Sequence, residues 1–152
     1  MRASLLCLVL LGSGVAHAAG VLGELIVPLN TPQNQPVPVS FVLRNASAVP
    51  FHGGTRPCSV NYVVSDARTG ALLWTFKTPN QGCKTVLGPK IDLRAGAAGE
   101  LYRSTLYVQL AGRHGKVGLR PGQYRISGTV EIKGNQEPAR TVTTPPVLLT
   151  VQ

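Results

Sequence analysis

Glycine and proline interrupt the chain along its whole length, and this feature limits the possible folds more than any other. The 152 residues include 17 glycines and 12 prolines, without a Gly-X-Y period. Because both residues interrupt helices, a mainly helical fold is disfavoured, and the missing period excludes a collagen-like one. The chain is 43% hydrophobic and only 14% charged, which argues against disorder. We therefore predict an all-β protein.

Short apolar-alternating runs lie between these interruptions, as in sandwiches and barrels. The clearest is formed by Val37, Val39, Phe41 and Leu43, which share one face by the period of two. Eight strands are predicted, around 23–29, 37–44, 59–66, 72–76, 85–93, 101–110, 122–132 and 141–151, with a proline-rich turn over Asn30 to Pro36 after the first. The fourth strand should carry Leu72, Trp74 and Phe76 on one face, and the seventh shows alternation of Tyr124, Ile126, Val130 and Ile132. This number fits an immunoglobulin-like antiparallel β-sandwich of about seven to eight strands.

Three local patterns add detail to this prediction. Pro145-Pro146 places the last strand at an edge or across a kink, because proline donates no ladder hydrogen bond. The segment Leu119 to Tyr124 resembles a tyrosine corner, in which the phenol hydroxyl binds backbone across the corner. Asp66 begins the hairpin turn Ala67-Arg68-Thr69-Gly70, where aspartate is favoured because it accepts local backbone hydrogen bonds.

The N-terminal segment indicates the compartment. Arg2 is followed by an apolar run from Leu5 to Leu11, and then by Ala16-His17-Ala18. This pattern predicts a secretory signal peptide over residues 1–18, with Cys7 removed in it, and a mature domain over 19–152. Read instead as structure, the run would be a buried strand or helix. No later apolar stretch is long enough to span a membrane, so we expect a secreted, periplasmic or envelope protein.

Two cysteines remain after residue 18, Cys58 and Cys83. In an oxidising compartment such a pair is usually a disulfide, which would stabilise the fold by about 3 kcal/mol in the chain-entropy model. The alternatives are a redox pair or a copper or zinc site shared with His52 and His114. The absence of a Cys-x-x-Cys motif and the wide ligand spacing favour the disulfide and predict no metal.

The residues that usually carry catalysis are scattered. No nucleophile elbow, His-Glu-x-x-His motif or phosphate-binding glycine loop occurs. We therefore predict a protein that is not an enzyme and needs no cofactor. The six acids are Glu24, Asp66, Asp92, Glu100, Glu131 and Glu137.

The positive charge suggests a binding role. The whole chain has a formal charge of +9, and removing residues 1–18 with their one arginine leaves +8. This charge favours encounter with anionic surfaces, although it also serves solubility. Most of the aromatic residues fall on apolar strand faces, so specific nucleic-acid binding is not expected. Two glycine-bracketed loops are the candidate contacts, since binding residues concentrate in loops; their residues are Phe51, His52, Arg56, Arg113, His114 and Lys116.

Several of these segments together resemble the BsuPI-type proteinase inhibitor family. The resemblance rests on four segments: Val42 to Asn45, the hairpin from Tyr62 to Trp74, Leu93 to Gly96, and Leu119 to Tyr124. The similarity, taken from the first of these segments to the last, covers about two-thirds of the mature chain. The resemblance implies an immunoglobulin-like sandwich and inhibition of a serine protease.

The expected function is that of a secreted, non-catalytic protein-interaction module. As a serine-protease inhibitor, it would insert the loop from Phe51 to Pro57 into the protease cleft, and Cys58 at the loop's base would reduce the ordering cost. The alternative is a structural or adhesion module that binds an anionic component of the cell envelope.

Overall fold

The computed structural model describes residues 20–56, 59–77, 88–106 and 119–152. Within these ranges the chain forms eleven strands and no helix. The strands are β1 (Val21–Ile26), β2 (Asn30–Thr31), β3 (Val37–Asn45), β4 (Phe51–Thr55), β5 (Asn61–Asp66), β6 (Leu72–Lys77), β7 (Lys90–Leu93), β8 (Ala98–Leu106), β9 (Gly122–Gly134), β10 (Arg140–Thr143) and β11 (Val147–Val151). The all-β prediction is confirmed. Residues 1–18, Cys58, Cys83, Arg113, His114 and Lys116 lie outside the described residues, so their predicted roles stay predictions.

The strands form the two sheets of an immunoglobulin-like β-sandwich, as predicted. The smaller sheet has the order β1-β3-β8, and both of its pairings are antiparallel. The larger sheet is built around β9, which is 13 residues long. Along one side β9 pairs with β11 and then β10, and along the other with β5 and then β4. β6 and β7 continue the larger sheet from β5 and β4, while β2 runs parallel to β11.

The hydrophobic core lies between the two sheets. The four alternating residues predicted on β3 are all at most 1% exposed. From the opposite sheet, Ile126, Val130 and Ile132 of β9 complete the buried layer, again at most 1% exposed. Gly128 lies directly beneath Phe41, where a Cβ would approach the phenyl ring at 2.9 Å. The missing side chain therefore sets how closely the sheets pack.

Two polar features close the sandwich at its ends. The predicted tyrosine corner is present, since the hydroxyl of Tyr124 donates to the carbonyl of Arg120 at 2.7 Å. At the other end, the buried side-chain amide of Asn45 donates to the carbonyls of Val49, Leu93 and Arg94. These bonds hold the loop after β3 against the turn after β7.

The number of strands differs from the predicted seven or eight for three local reasons. Pro145-Pro146 divides the predicted last strand into β10 and β11, which pair with successive parts of β9. The two-residue β2 lies in a segment predicted as a turn. Phe51–Thr55 was predicted as loop but forms β4, because β7 and β9 pair with it on either side. A Cβ at Gly53 would overlap the carbonyl of Lys133, so this strand needs its glycine.

Candidate interaction surface

The predicted contact segment 51–56 does not project from the fold. Phe51 is 7% exposed and packs in the core, whereas it was predicted in a contact loop. His52 and Arg56 lie on the outer face of the larger sheet. The Nδ1 atom of His52 is 3.1 Å from Oδ1 of Asp92, and Nε of Arg56 is 3.2 Å from Oε1 of Glu131. The structure thus brings two of the predicted residues to one sheet face, rather than to a loop.

An open groove runs beside Arg56 on this outer face. It has a volume of about 600 Å³ and is lined by Gly54, Thr55, Arg56, Glu131, Ile132, Lys133, Gly134, Asn135, Pro138 and Ala139. Its charges have both signs, and Arg56 is already paired. The groove therefore offers neither a cluster of catalytic groups nor a concentrated charge for an anionic ligand.

A more distinctive surface is the free edge of the larger sheet at β6. Among the described residues, β6 pairs with β5 alone, along one of its two sides. Leu72 is 65% exposed and Leu73 52%, while Trp74 and Phe76 are partly buried. The ring centroids of Trp74 and Phe76 are 5.5 Å apart. We define these four side chains and the free side of the strand as the β6 edge.

In the part of the chain that the structure describes, the smaller sheet does not extend over the β6 edge. Trp74 and Phe76 lie opposite Val64 and Tyr62 of β5, whose side chains point into the core. Tyr62 is fully buried, and its hydroxyl donates to Oγ of Ser104 in β8 at 3.2 Å. Burial raises the pKa of the Tyr62 phenol. Among the described strands, β8 forms the edge of the smaller sheet, and Trp74 and Phe76 are only partly buried.

A bulge changes the face on which the leucines of β6 lie. Val64 pairs with Trp74 and Ser65 pairs with Leu72, so Leu73 is the extra residue. Opposite residues of an antiparallel pair share a face. Leu72 therefore lies with Ser65 on the outer face, whereas the sequence predicted it on the same face as Trp74 and Phe76. That prediction is wrong because the period of two breaks at the bulge.

Most of the negative charge is committed to interactions within the fold. Three carboxylates pair with arginines: Glu24 with Arg44 at 2.6 Å, Glu100 with Arg103 at 3.0 Å, and Glu131 with Arg56 at 3.2 Å. The first two arginine contacts lower the pKa of the Glu24 and Glu100 carboxyls. All six acids lie in the described residues, and the rest of the sequence contains none. The excess positive charge is therefore carried by arginines and lysines that these acids do not neutralise.

Asp66 has the turn role that the sequence predicted. Its Oδ1 atom accepts from the backbone amides of Arg68 and Thr69, at 3.0 and 2.7 Å, and from the Thr69 hydroxyl. These hydrogen bonds, led by the one from the Thr69 amide, lower the pKa of the carboxyl. Among the described residues, no three His, Cys, Asp or Glu side chains are grouped so as to hold a metal ion. Within the same ranges, no helix is long and apolar enough to cross a membrane.

Comparison with known proteins leaves the family open. No protein-family model matches the chain, and no curated protein matches it. Among solved structures, the CARDB domain of a Pyrococcus furiosus protein, in complex with di-metal ions, is 13% identical with a TM-score of 0.39, over 87% of each chain. A Bordetella pertussis protein described as ApaA is 16% identical with a TM-score of 0.44, over 86% of this chain and 95% of its own. Similarity at this level transfers no function to this chain.

Proposed function

We propose that this protein is a secreted, non-catalytic protein-interaction module whose partner adds a strand to β6. The observation that carries the proposal is the β6 edge itself. An unpaired edge presents a row of backbone donors and acceptors to any extended chain. In strand addition these backbone groups supply affinity, and side chains on alternate positions supply specificity.

The side chains of β6 favour this role. Natural proteins commonly protect free edges with charged residues or proline. The sequence of β6, Leu-Leu-Trp-Thr-Phe-Lys, has no proline and no acid, and its single lysine is at the end. Leu72 and Leu73 are both more than half exposed, on a strand whose second side pairs with no described strand. Burying them under a partner would remove apolar surface from water, at about 25 cal/mol per Å².

Serine-protease inhibition stays a prediction drawn from the family resemblance. Phe51–Thr55 is hydrogen-bonded to β7 and β9, so that segment is not free to enter a protease cleft. If the partner is a protease, we propose that it contacts β6. Slowing of a subtilisin-like protease that is lost on substitution of Leu73 would support this version, and inhibition that does not depend on β6 would contradict it.

The test is capture of envelope proteins with the purified protein, combined with hydrogen exchange on the complex. Replacing Leu73 by lysine puts a charge on the β6 edge. Leu148→Lys is the matched control, because Leu148 is 49% exposed but lies in β11, which is paired with β2 and β9. We expect L73K to lose the partner, L148K to keep it, and the partner to protect the amides of residues 72–77. Capture that L73K leaves unchanged would overturn the proposal.

A second candidate function is attachment to an anionic envelope component. It is favoured by exposed arginines, such as Arg68, Arg120 and Arg125, that form no ion pair with a described carboxylate. Retention on an anionic polymer would weaken as salt rises if charge drives the binding. Retention that is insensitive to salt would count against this function.

A further inference from the structure

The outer face of the sheet beside β6 is positively charged. One row of cross-strand neighbours runs from Leu72 of β6 through Ser65 of β5 to Arg125 of β9. Adjacent strands lie about 4.8 Å apart, so Arg125 is about 10 Å from the β6 edge. Arg68 is exposed in the turn between β5 and β6. Neither arginine forms an ion pair with a described carboxylate.

No balancing cluster of acids lies near this corner. Asp66 is the one acid on β5 or β6, and its Oδ1 atom already accepts three hydrogen bonds from its own turn. Glu24 and Glu100 lie in the smaller sheet, Asp92 lies in β7, Glu131 lies near the C-terminal end of β9, and Glu137 lies in the turn between β9 and β10. The segments outside the described residues contain no Asp or Glu. Arg68 and Arg125 together carry two positive charges and Asp66 carries one negative charge, so the surface beside β6 has a net positive charge.

This charge distribution selects among the possible occupants of the edge. A second copy of the chain would bring its own Arg68 and Arg125 to the same interface, and like charges brought together disfavour association. A strand carrying carboxylates would instead meet two guanidinium groups that form no ion pair with a described carboxylate, one in the β5–β6 turn and one two strands in from the apolar edge. Charge complementarity of this kind guides encounter and fixes register.

From this complementarity we infer that the strand recruited by β6 is an acidic one: an extended partner segment with apolar residues that face the β6 edge and carboxylates that face Arg68 and Arg125. The inference rests on the proposed strand addition. It specifies the partner's chemistry, and it predicts that the isolated chain is a monomer.

Three synthetic peptides test the inference. They share one alternating Val-Thr centre and differ only at their ends, which carry Glu, Gln or Lys. Fluorescence anisotropy with the purified protein would measure their binding at low and at physiological salt. Each exposed charge pair contributes about twofold to fivefold in affinity. We expect the Glu peptide to bind about 5- to 20-fold more tightly than the Gln peptide, the Lys peptide to bind most weakly, and the differences to shrink as salt rises.

Variants separate the two levels of the proposal. The double variant R68Q/R125Q should reduce binding of the Glu peptide to that of the Gln peptide, while L73K should weaken both. R140Q is the matched control, because Arg140 is also exposed but lies in β10, across β9 from β5 and β6. Equal binding of the Glu and Gln peptides would overturn the inference and leave the proposed function standing. If no peptide bound and L73K also kept the captured partner, the proposed function itself would fail.

Two further outcomes would overturn the acidic-strand inference. Sedimentation that shows dimers, abolished by L73K, would make a second copy the occupant of the edge. The other outcome is that polyphosphate displaces the Glu peptide in a way that R68Q/R125Q abolishes and L73K leaves unchanged. That result would show that the two arginines form a general polyanion site independent of β6. A monomer whose Glu-peptide binding needs both Leu73 and the two arginines is the expected result.

Discussion

The side-chain amide of Asn45 holds together one end of the sandwich, and its removal gives the sharpest stability prediction. Asn45 is fully buried, at 0% exposure. Its Nδ2 atom donates to the carbonyls of Val49, Leu93 and Arg94 at 2.8, 3.1 and 3.2 Å. Its Oδ1 atom accepts from the backbone amide and the hydroxyl of Ser47 at 3.0 and 2.7 Å. Asn45→Ala would break all five contacts at once.

The expected loss of stability depends on which hydrogen bonds the partners of Asn45 retain in the variant. The Val49 carbonyl still accepts from the Ser47 hydroxyl, and the Arg94 carbonyl still accepts from the Ala97 amide. The Leu93 carbonyl loses its side-chain donor in a buried position. An unsatisfied buried polar group costs about 1–3 kcal/mol, and each net hydrogen bond contributes about 1 kcal/mol. We therefore expect the free energy of unfolding to fall by about 3 kcal/mol.

Urea denaturation of the wild-type protein and of N45A, followed by tryptophan fluorescence, would measure this loss in the free energy of unfolding, and thermal melts of the same two proteins would measure the change in Tm. At about 3–5 °C per kcal/mol for a domain of this size, Tm should fall by about 10 °C. Asn61→Ala is the matched control, because the Asn61 amide donates a single bond, to the Ser59 carbonyl at 3.3 Å. The reasoning is refuted if N45A costs less than about 1 kcal/mol, or no more than N61A.

Three further predictions concern the corner, the core and the β5–β6 turn. Tyr124→Phe removes the 2.7 Å hydrogen bond to the Arg120 carbonyl and should cost about 1–1.5 kcal/mol in urea denaturation, with an unchanged fold by circular dichroism; no loss would deny the corner its role. Gly128→Ala places a methyl group 2.9 Å from the Phe41 ring and should cost about 1–3 kcal/mol, whereas Gly70→Ala, in open space but at φ 72°, tests backbone strain alone. The pKa of Asp66 is lowered in the folded protein, so its contribution is complete above the unfolded pKa near 4 and is lost as pH falls through the folded value. Asp66→Asn should flatten that acid loss in thermal melts from pH 5 to 2, and an unchanged profile would contradict the assignment.

Local patterns were enough to predict much of the fold. The alternation along β3 and the spacing of Tyr124, Ile126, Val130 and Ile132 placed both central strands, because a half-buried strand shows its inner face directly in the sequence. The tyrosine corner and the Asp66 turn were also readable. Each depends on hydrogen bonds between residues four or fewer positions apart.

The interaction surface was decided by tertiary structure. The Gly53-Gly54 segment shows no strand pattern in the sequence. It forms β4 because two distant strands, β7 and β9, pair with it, and this pairing directs Phe51 into the core. The bulge moved Leu72 to the outer face, where it shares a row with Arg125, 53 positions later in the chain. Trp74 and Phe76 are only partly buried, at the side of the larger sheet where no described strand pairs beyond β6. No stretch of sequence contains that information, since an edge is defined by which strands pair and where pairing ends.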